Sequence, residues 1–178
     1  DLDRVLTLRN IADMDAIKGR VDASSGQPVV VIGGGYIGLE MAEALRNRGL
    51  PVTLVELTDQ VMGPVDPEIA SSLHRELAEH GVDLRLGTGV SAFRENGDAL
   101  DVELSTGDTL SCSFAVLAIG VRPETGLAEA AGLATGERGG IAVDDHMRTS
   151  DPHIYAVGDA IEVDEGHGAV VVHGKNQV

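Results

Sequence analysis

Four consecutive apolar residues, Val29 to Ile32, run without a break into Gly33, Gly35 and Gly38, and no other stretch constrains the fold as tightly. An apolar run that does not alternate with polar residues reads as a strand buried on both faces, as in parallel sheets. The glycines fit G-x-G-x-x-G at the point where such a strand hands over to a helix. Each then has its own task. Gly33 permits the tight turn, Gly35 lets backbone N–H groups approach a pyrophosphate, and Gly38 lets helix and strand pack closely. Gly34, Tyr36 and Ile37 complete the surface offered to the phosphates, where the helix N-terminus supplies free N–H groups and a positive dipole end.

The context strengthens this reading. Ile37, Met41, Ala44 and Leu45 share one face of the expected helix, which ends in Arg46, Arg48 and Gly49 as a helix C-terminus should. Val52 to Val55 gives a second strand closed by Glu56. That is about 20 residues beyond the glycines, where a carboxylate accepts hydrogen bonds from an adenine ribose. A 2′-phosphate beside Glu56 would need a cation to offset the repulsion. Between Arg48 and Arg75 there is no Lys or Arg, and Asp59 adds a negative charge. NADH is therefore expected over NADPH, unless a cation arrives from elsewhere in the fold.

Composition narrows the partners. A net charge of −16 argues against nucleic acid and anionic membrane surfaces. A hydrophobic fraction of 43% excludes a disordered tail, and 2% aromatic residues mean an aliphatic core. The single Cys112 allows no internal disulfide, and no apolar run approaches the ~20 residues needed to span a membrane. The six His show no metal-ligand spacing. His74, His80, His167 and His173 receive no role, and no metal site is assigned.

Residues 4–20 carry a short apolar run and a weak helical pattern at Ile11, Met14 and Ile17, taken as a lead-in rather than part of the nucleotide-binding core. Asp66-Pro67-Glu68 starts a helix through Ile69, Leu73 and Leu77 to Gly81, and Val82 to Leu86 supplies a third parallel strand. Val90 to Arg94, Leu100 to Leu104 and Thr109 to Ser111 are short strands separated by Asn96-Gly97 and Gly107-Asp108, which is hairpin chemistry. An antiparallel meander thus interrupts the α/β order. Phe114 to Gly120 restores a buried strand, and Gly120 and Val121 at its end are candidates to lie against the cofactor. In TSDPHIYAVGD, residues 149–159, an apolar strand from Ile154 to Val157 precedes Gly158-Asp159. Alone, Asp159 reads equally as a solvated loop residue or a helix cap.

The ordered set VVVIGGGYIGLE, VTLVE, FAVLAIGVRPET and RTSDPHIYAVGDAIEV resembles the FAD-dependent pyridine nucleotide-disulfide oxidoreductases, over nearly all of residues 4–163. It is most similar to the branch with coenzyme A-disulfide reductase, NADH oxidase and NADH peroxidase. The resemblance implies a Rossmann-like three-layer α/β domain with a parallel sheet and an inserted β-meander. It implies that Tyr36 lies near the flavin, that Glu40 sits at the nicotinamide end, and that Glu56 binds the ribose. Gly158 and Asp159 match the second flavin motif, where the acid holds the FAD ribityl chain. NADH and FAD are the implied cofactors, with a small-molecule substrate, a cytoplasmic location, and the rest of the flavin domain and a homodimer partner as protein contacts.

Two departures qualify this. No second G-x-G-x-x-G precedes residue 27, and no redox cysteine lies where the family would use one; Cys112 is read as a small packing or edge residue. The chain therefore looks like the NADH domain of a longer flavoprotein. Residues 1–26 and 144–178 would belong to the flavin domain and 27–143 to the NADH domain, with no catalytic residue in this fragment, which alone should be inactive. Two other readings stay open: a ferredoxin- or rubredoxin-type flavoprotein reductase without a redox cysteine, and a non-catalytic NADH-sensing module.

Overall fold

The strand and helix alternation expected from residues 29–86 is present, and one further strand–helix pair precedes it. The structure, a computed structural model, describes residues 2–163. His167 and His173 of the tail lie outside the described residues. The chain divides into two compact units, Asp1–Gly120 and Val121–Val178.

In the first unit, β1 (Val5–Thr7) and α1 (Ile11–Ala23) lead into β2 (Val29–Ile32), α2 (Tyr36–Asn47) and β3 (Val52–Val55). Then come α3 (Pro67–Glu79), β4 (Val82–Arg85), the meander β5 (Val90–Asn96), β6 (Ala99–Leu104) and β7 (Thr109–Cys112), and finally β8 (Phe114–Leu117). A parallel five-stranded sheet has the order β1-β8-β2-β3-β4. The lead-in segment thus places a strand in the sheet that the sequence reading withheld from the core. Its three residues are too few to show periodicity, and their partner β8 lies about a hundred positions on. The crossovers from β1 to β4 all advance in one direction. The right-handed rule for such connections then puts all three helices on one face.

Packing agrees. Ile17 of α1, Ala42 and Leu45 of α2, and Leu73 and Leu77 of α3 cluster with Val29, Val31, Leu54 and Val116. The opposite face, with Val30, Ile32, Val55 and Ala115, packs on Leu100, Val102, Leu104 and Cys112 of the meander. Helices, parallel sheet and antiparallel sheet make three layers. Side chains such as Leu54 and Phe114, fully buried, contribute about 1.5–3 kcal/mol each by leaving water. Gly97 and Gly107, at φ +60° and +92°, turn the two hairpins, as their position in the sequence predicts.

Two expectations about faces need correction. The fully buried residues of α2 are Gly38, Ala42 and Leu45; of the expected face Leu45 is buried and Met41 packs partly buried against the core, whereas Ile37 and Ala44 are not in the core. Ile37, Met41 and Ala44 also line an open groove against Ile11 and Met14 of α1. Apolar residues occupy two adjoining sides of this helix, so periodicity alone picks a stripe that is only partly in the core. In α3, Ala70 is buried while Ile69 is largely exposed, and Asp66 stands at the cap without a side-chain hydrogen bond.

The second unit contains α4 (Gly126–Ala130) and a parallel pair, β9 (Ile141–Val143) with β10 (Ile161–Val163). Ile154 to Val157 is not a strand. Within this stretch Tyr155 alone forms a bridge among the described residues, to Arg148, and a strand needs a ladder of partners.

Cys112 is buried, and its thiol donates to Leu100 O at 3.4 Å. Burial, aided by Asp101, pushes the thiol up from 9.0 to about 12. A neutral thiol is thus favoured in the fold. The stability it lends is complete below the unfolded value of 9.0 and is lost as pH rises towards 12. Cys112 should resist a thiol-reactive disulfide reagent at pH 8 until denaturant is added. Rapid labelling of the native chain would contradict this burial.

Candidate functional site

The expected nucleotide turn forms at the carboxyl ends of β2 and β3, with the end of β8 beside it. β2 lies between β3 and β8, and open α/β sheets bind ligands outside the carboxyl ends of their strands.

The three glycines are glycine for different reasons. Gly33 has φ +106°, and a Cβ there would lie 2.4 Å from Ala118 O, so the last turn of the β8 segment presses on it. At Gly38 a Cβ would lie 1.8 Å from Gly33 O, so any side chain forces the turn to move. Gly35 differs. Its backbone is extended, at φ −77° and ψ −173°, and a Cβ would meet nothing within 4 Å. Nothing in the protein requires glycine here. Gly35 is also the N-cap of α2 and offers no side-chain cap, so the first N–H groups of the helix are left for a ligand.

Glu56 is tied to that turn directly. Its Oε2 accepts from the Gly34 N–H at 2.6 Å, and its Oε1 from the Thr58 N–H at 2.8 Å. The Thr58 hydroxyl lies 2.7 Å from Oε1 and 2.8 Å from Gln60 O. A hydroxyl has one proton, and a carboxylate has about four acceptor sites. When that proton turns to Gln60 O, each Glu56 oxygen keeps one site for a ribose hydroxyl. The residues present therefore fit the adenine ribose and pyrophosphate of a dinucleotide.

The other candidates are placed less tightly. Tyr36 opens α2 and is 67% exposed; Glu40, also exposed, lines the groove with Arg9, Ile11, Met14 and Ile37. Neither side chain makes a hydrogen bond or ion pair among the described residues. Gly120 has φ +116°, and Val121 after it is exposed. In the second unit Gly158 has φ +89° and Asp159 is exposed.

The structure also brings in a residue the sequence reading left without a role. His74 Nε2, on α3, accepts the backbone N–H of Val61 at 3.1 Å. Its partner is a main-chain group in an irregular loop, for which no sequence signal exists.

Comparison with known proteins follows this geometry. The pyridine nucleotide-disulphide oxidoreductase family matches residues 2–175. The reduced coenzyme A-disulfide reductase CoADR-RHD of Bacillus anthracis is 49% identical with a TM-score of 0.80, covering 89% of this chain and 28% of that one. The water-forming NADH oxidase of Lactobacillus brevis, bound to NADH, is 33% identical with a TM-score of 0.81, covering 90% and 35%. The nitric oxide reductase FlRd-NAD(+) reductase of Vibrio vulnificus is 38% identical over 92% of this chain and 42% of its own. The chain thus spans less than half the length of each of these relatives.

Proposed function

The chain belongs to the pyridine nucleotide-disulphide oxidoreductase family, and from that premise we propose that it is the NADH-binding part of an FAD-dependent oxidoreductase. In the whole protein, hydride passes from NADH to FAD and on to a disulfide, a thiol-linked group, a peroxide or oxygen. The observation that carries this is the open space over Gly35, flanked by uncapped helix N–H groups and the Glu56 carboxylate.

The residues divide the work. Gly33 and Gly38 shape the turn, Gly35 leaves room for the pyrophosphate, and the N–H groups of Tyr36, Ile37 and Gly38 face its charge. Glu56 holds the ribose. Tyr36 and Glu40, on the first turns of α2, are assigned to the nicotinamide end, and Gly120 and Val121 are assigned to the cofactor on the strength of the family resemblance. The nicotinamide and the flavin supply the redox chemistry when bound, and the protein supplies position. Gly158 and Asp159 are assigned to FAD, on the strength of the family motif. The flavin domain is taken to own residues 144–178, whereas β1 and α1 of residues 1–26 pack in the unit that carries the nucleotide turn. The rest of that domain and a homodimer partner are the expected protein contacts, in the cytoplasm. Among the described residues no helix is long and apolar enough to cross a membrane.

A second reading, supported by the likeness to the FlRd-NAD(+) reductase, makes the acceptor a small electron-transfer protein. One experiment separates the readings. The chain alone should bind NADH, bind FAD weakly or not at all, and reduce no disulfide. The protein encoded by the full reading frame should hold FAD and bleach it on adding NADH. It should then reoxidise with a disulfide or peroxide under the first reading, and only with a rubredoxin or ferredoxin under the second. Asp159→Ala in that protein should lower flavin content and leave NADH affinity intact. Tight stoichiometric FAD binding by these 178 residues would overturn the domain assignment.

A further inference from the structure

We propose that His74 is a positioning residue for the adenosine half of the nucleotide site, acting through the loop of residues 57–65. The inference rests on the nucleotide reading above and assigns to that site a residue outside its fingerprint.

The loop closes over the glycine turn through its middle. Val61 is fully buried, and Val61 Cγ1 lies 2.9 Å from where a Gly34 side chain would begin. The next residue, Met62, donates its N–H to Gly34 O at 2.8 Å, and Gly34 in turn donates its N–H to Glu56 Oε2 at 2.6 Å. Met62 adopts φ +50°, a left-handed conformation uncommon for a non-glycine residue. Surrounding contacts must hold such a conformation in place. The loop ends are tied independently: Gly87 N–H to Thr58 O at 2.9 Å, and Gln60 Nε2 to Val65 O at 2.9 Å.

At the centre, the N–H of buried Val61 needs an acceptor, and His74 Nε2 is the one it has. With that acceptor gone, the N–H regains a partner only by moving out towards water. Val61 then leaves the core and Met62 leaves Gly34 O, so Gly34, whose N–H bonds Glu56, loses the bond that fixes its carbonyl. His74 therefore sets the spacing between the phosphate turn and the ribose carboxylate without touching either ligand group. The role needs Nε2 as acceptor and the ring proton on Nδ1. Gln offers a carbonyl of similar reach, whereas Leu fills the space and offers none.

The test uses the 178-residue chain, with NADH titrated by calorimetry and amide exchange followed residue by residue. Wild type should bind NADH and protect the Val61 and Met62 amides. His74→Leu should weaken NADH roughly five- to tenfold, the worth of one buried hydrogen bond. It should lose protection at Val61 and Met62 while the amides of α3 stay protected. His74→Gln should restore most of both. Wild-type affinity in His74→Leu overturns the proposal, as does lost loop protection with unchanged affinity. Should His74→Leu not fold, His74→Gln decides: a folded variant that binds as wild type supports the role, and one that binds several-fold worse overturns it. Failure of wild type itself to bind NADH would instead sink the nucleotide reading, and this inference with it.

Discussion

Gly35→Val is expected to abolish NADH binding while leaving the chain folded. The backbone at Gly35 is extended and open to any residue, and a Cβ there meets no protein atom within 4 Å. A side chain therefore begins in open space in the free protein. Valine is a poorer N-cap than glycine, so a loss of up to about 1 kcal/mol in stability is expected. With nucleotide bound, the valine methyls stand where the pyrophosphate must meet the helix N–H groups, and close approach is what the second glycine allows. Gly38→Val makes the contrast. Its Cβ would lie 1.8 Å from the Gly33 carbonyl, and a branched side chain cannot be absorbed by a small shift. That variant should lose several kcal/mol or fail to fold. Calorimetry and thermal melts on both variants decide the matter. A folded Gly35→Val that binds NADH like wild type would show that the phosphate is held elsewhere.

The contrast shows why part of this molecule was legible in sequence. The apolar run of β2, the glycine spacing, the hairpin turns at Gly97 and Gly107, and Glu56 at the end of β3 are local features, each enforced by its own backbone. What escaped depends on distant partners. β1 is a strand only because β8 lies beside it. Ile154 to Val157 has apolar strand composition without the neighbour that would make it one. The buried face of α2 is only partly legible because Ile37 and Ala44 line a groove with α1, while Met41 borders both groove and core. His74 was invisible because what it recognises is a main-chain N–H, which every residue but proline carries. The fingerprint could be read from chain order, but the support beneath it could not.

Glu56 should make the site prefer NADH over NADPH by at least roughly tenfold, since a charge-assisted hydrogen bond is worth about 1.5–3 kcal/mol. A 2′-phosphate would both lose such a bond and bring like charge against the carboxylate, where repulsion at 4 Å reaches about 4 kcal/mol per unit charge near a protein surface. The remaining question is whether the fold delivers a cation to offset this. On the neighbouring strand stands Arg85, whose carbonyl accepts the Glu56 N–H at 2.8 Å. It does not serve. Arg85 is in register with Val55, so alternation along the strand points it away from the Glu56 side chain. Its guanidinium is also held by Asp83 at 2.9 Å, and that pairing raises its pKa further. Arg48 pairs with Asp22, and Arg46 donates to His80 O and Leu50 O beyond the far end of α2. Glu56→Ala should therefore bring the two affinities together by removing the repulsion. It should also weaken NADH itself, because the Gly34 and Thr58 donors lose their acceptor along with the ribose. Glu56→Gln, with one oxygen kept and the charge gone, should fall between them. Competition titrations with both nucleotides read the ratio directly. An unchanged ratio in Glu56→Ala would remove Glu56 from the ribose and leave it as a brace for the turn.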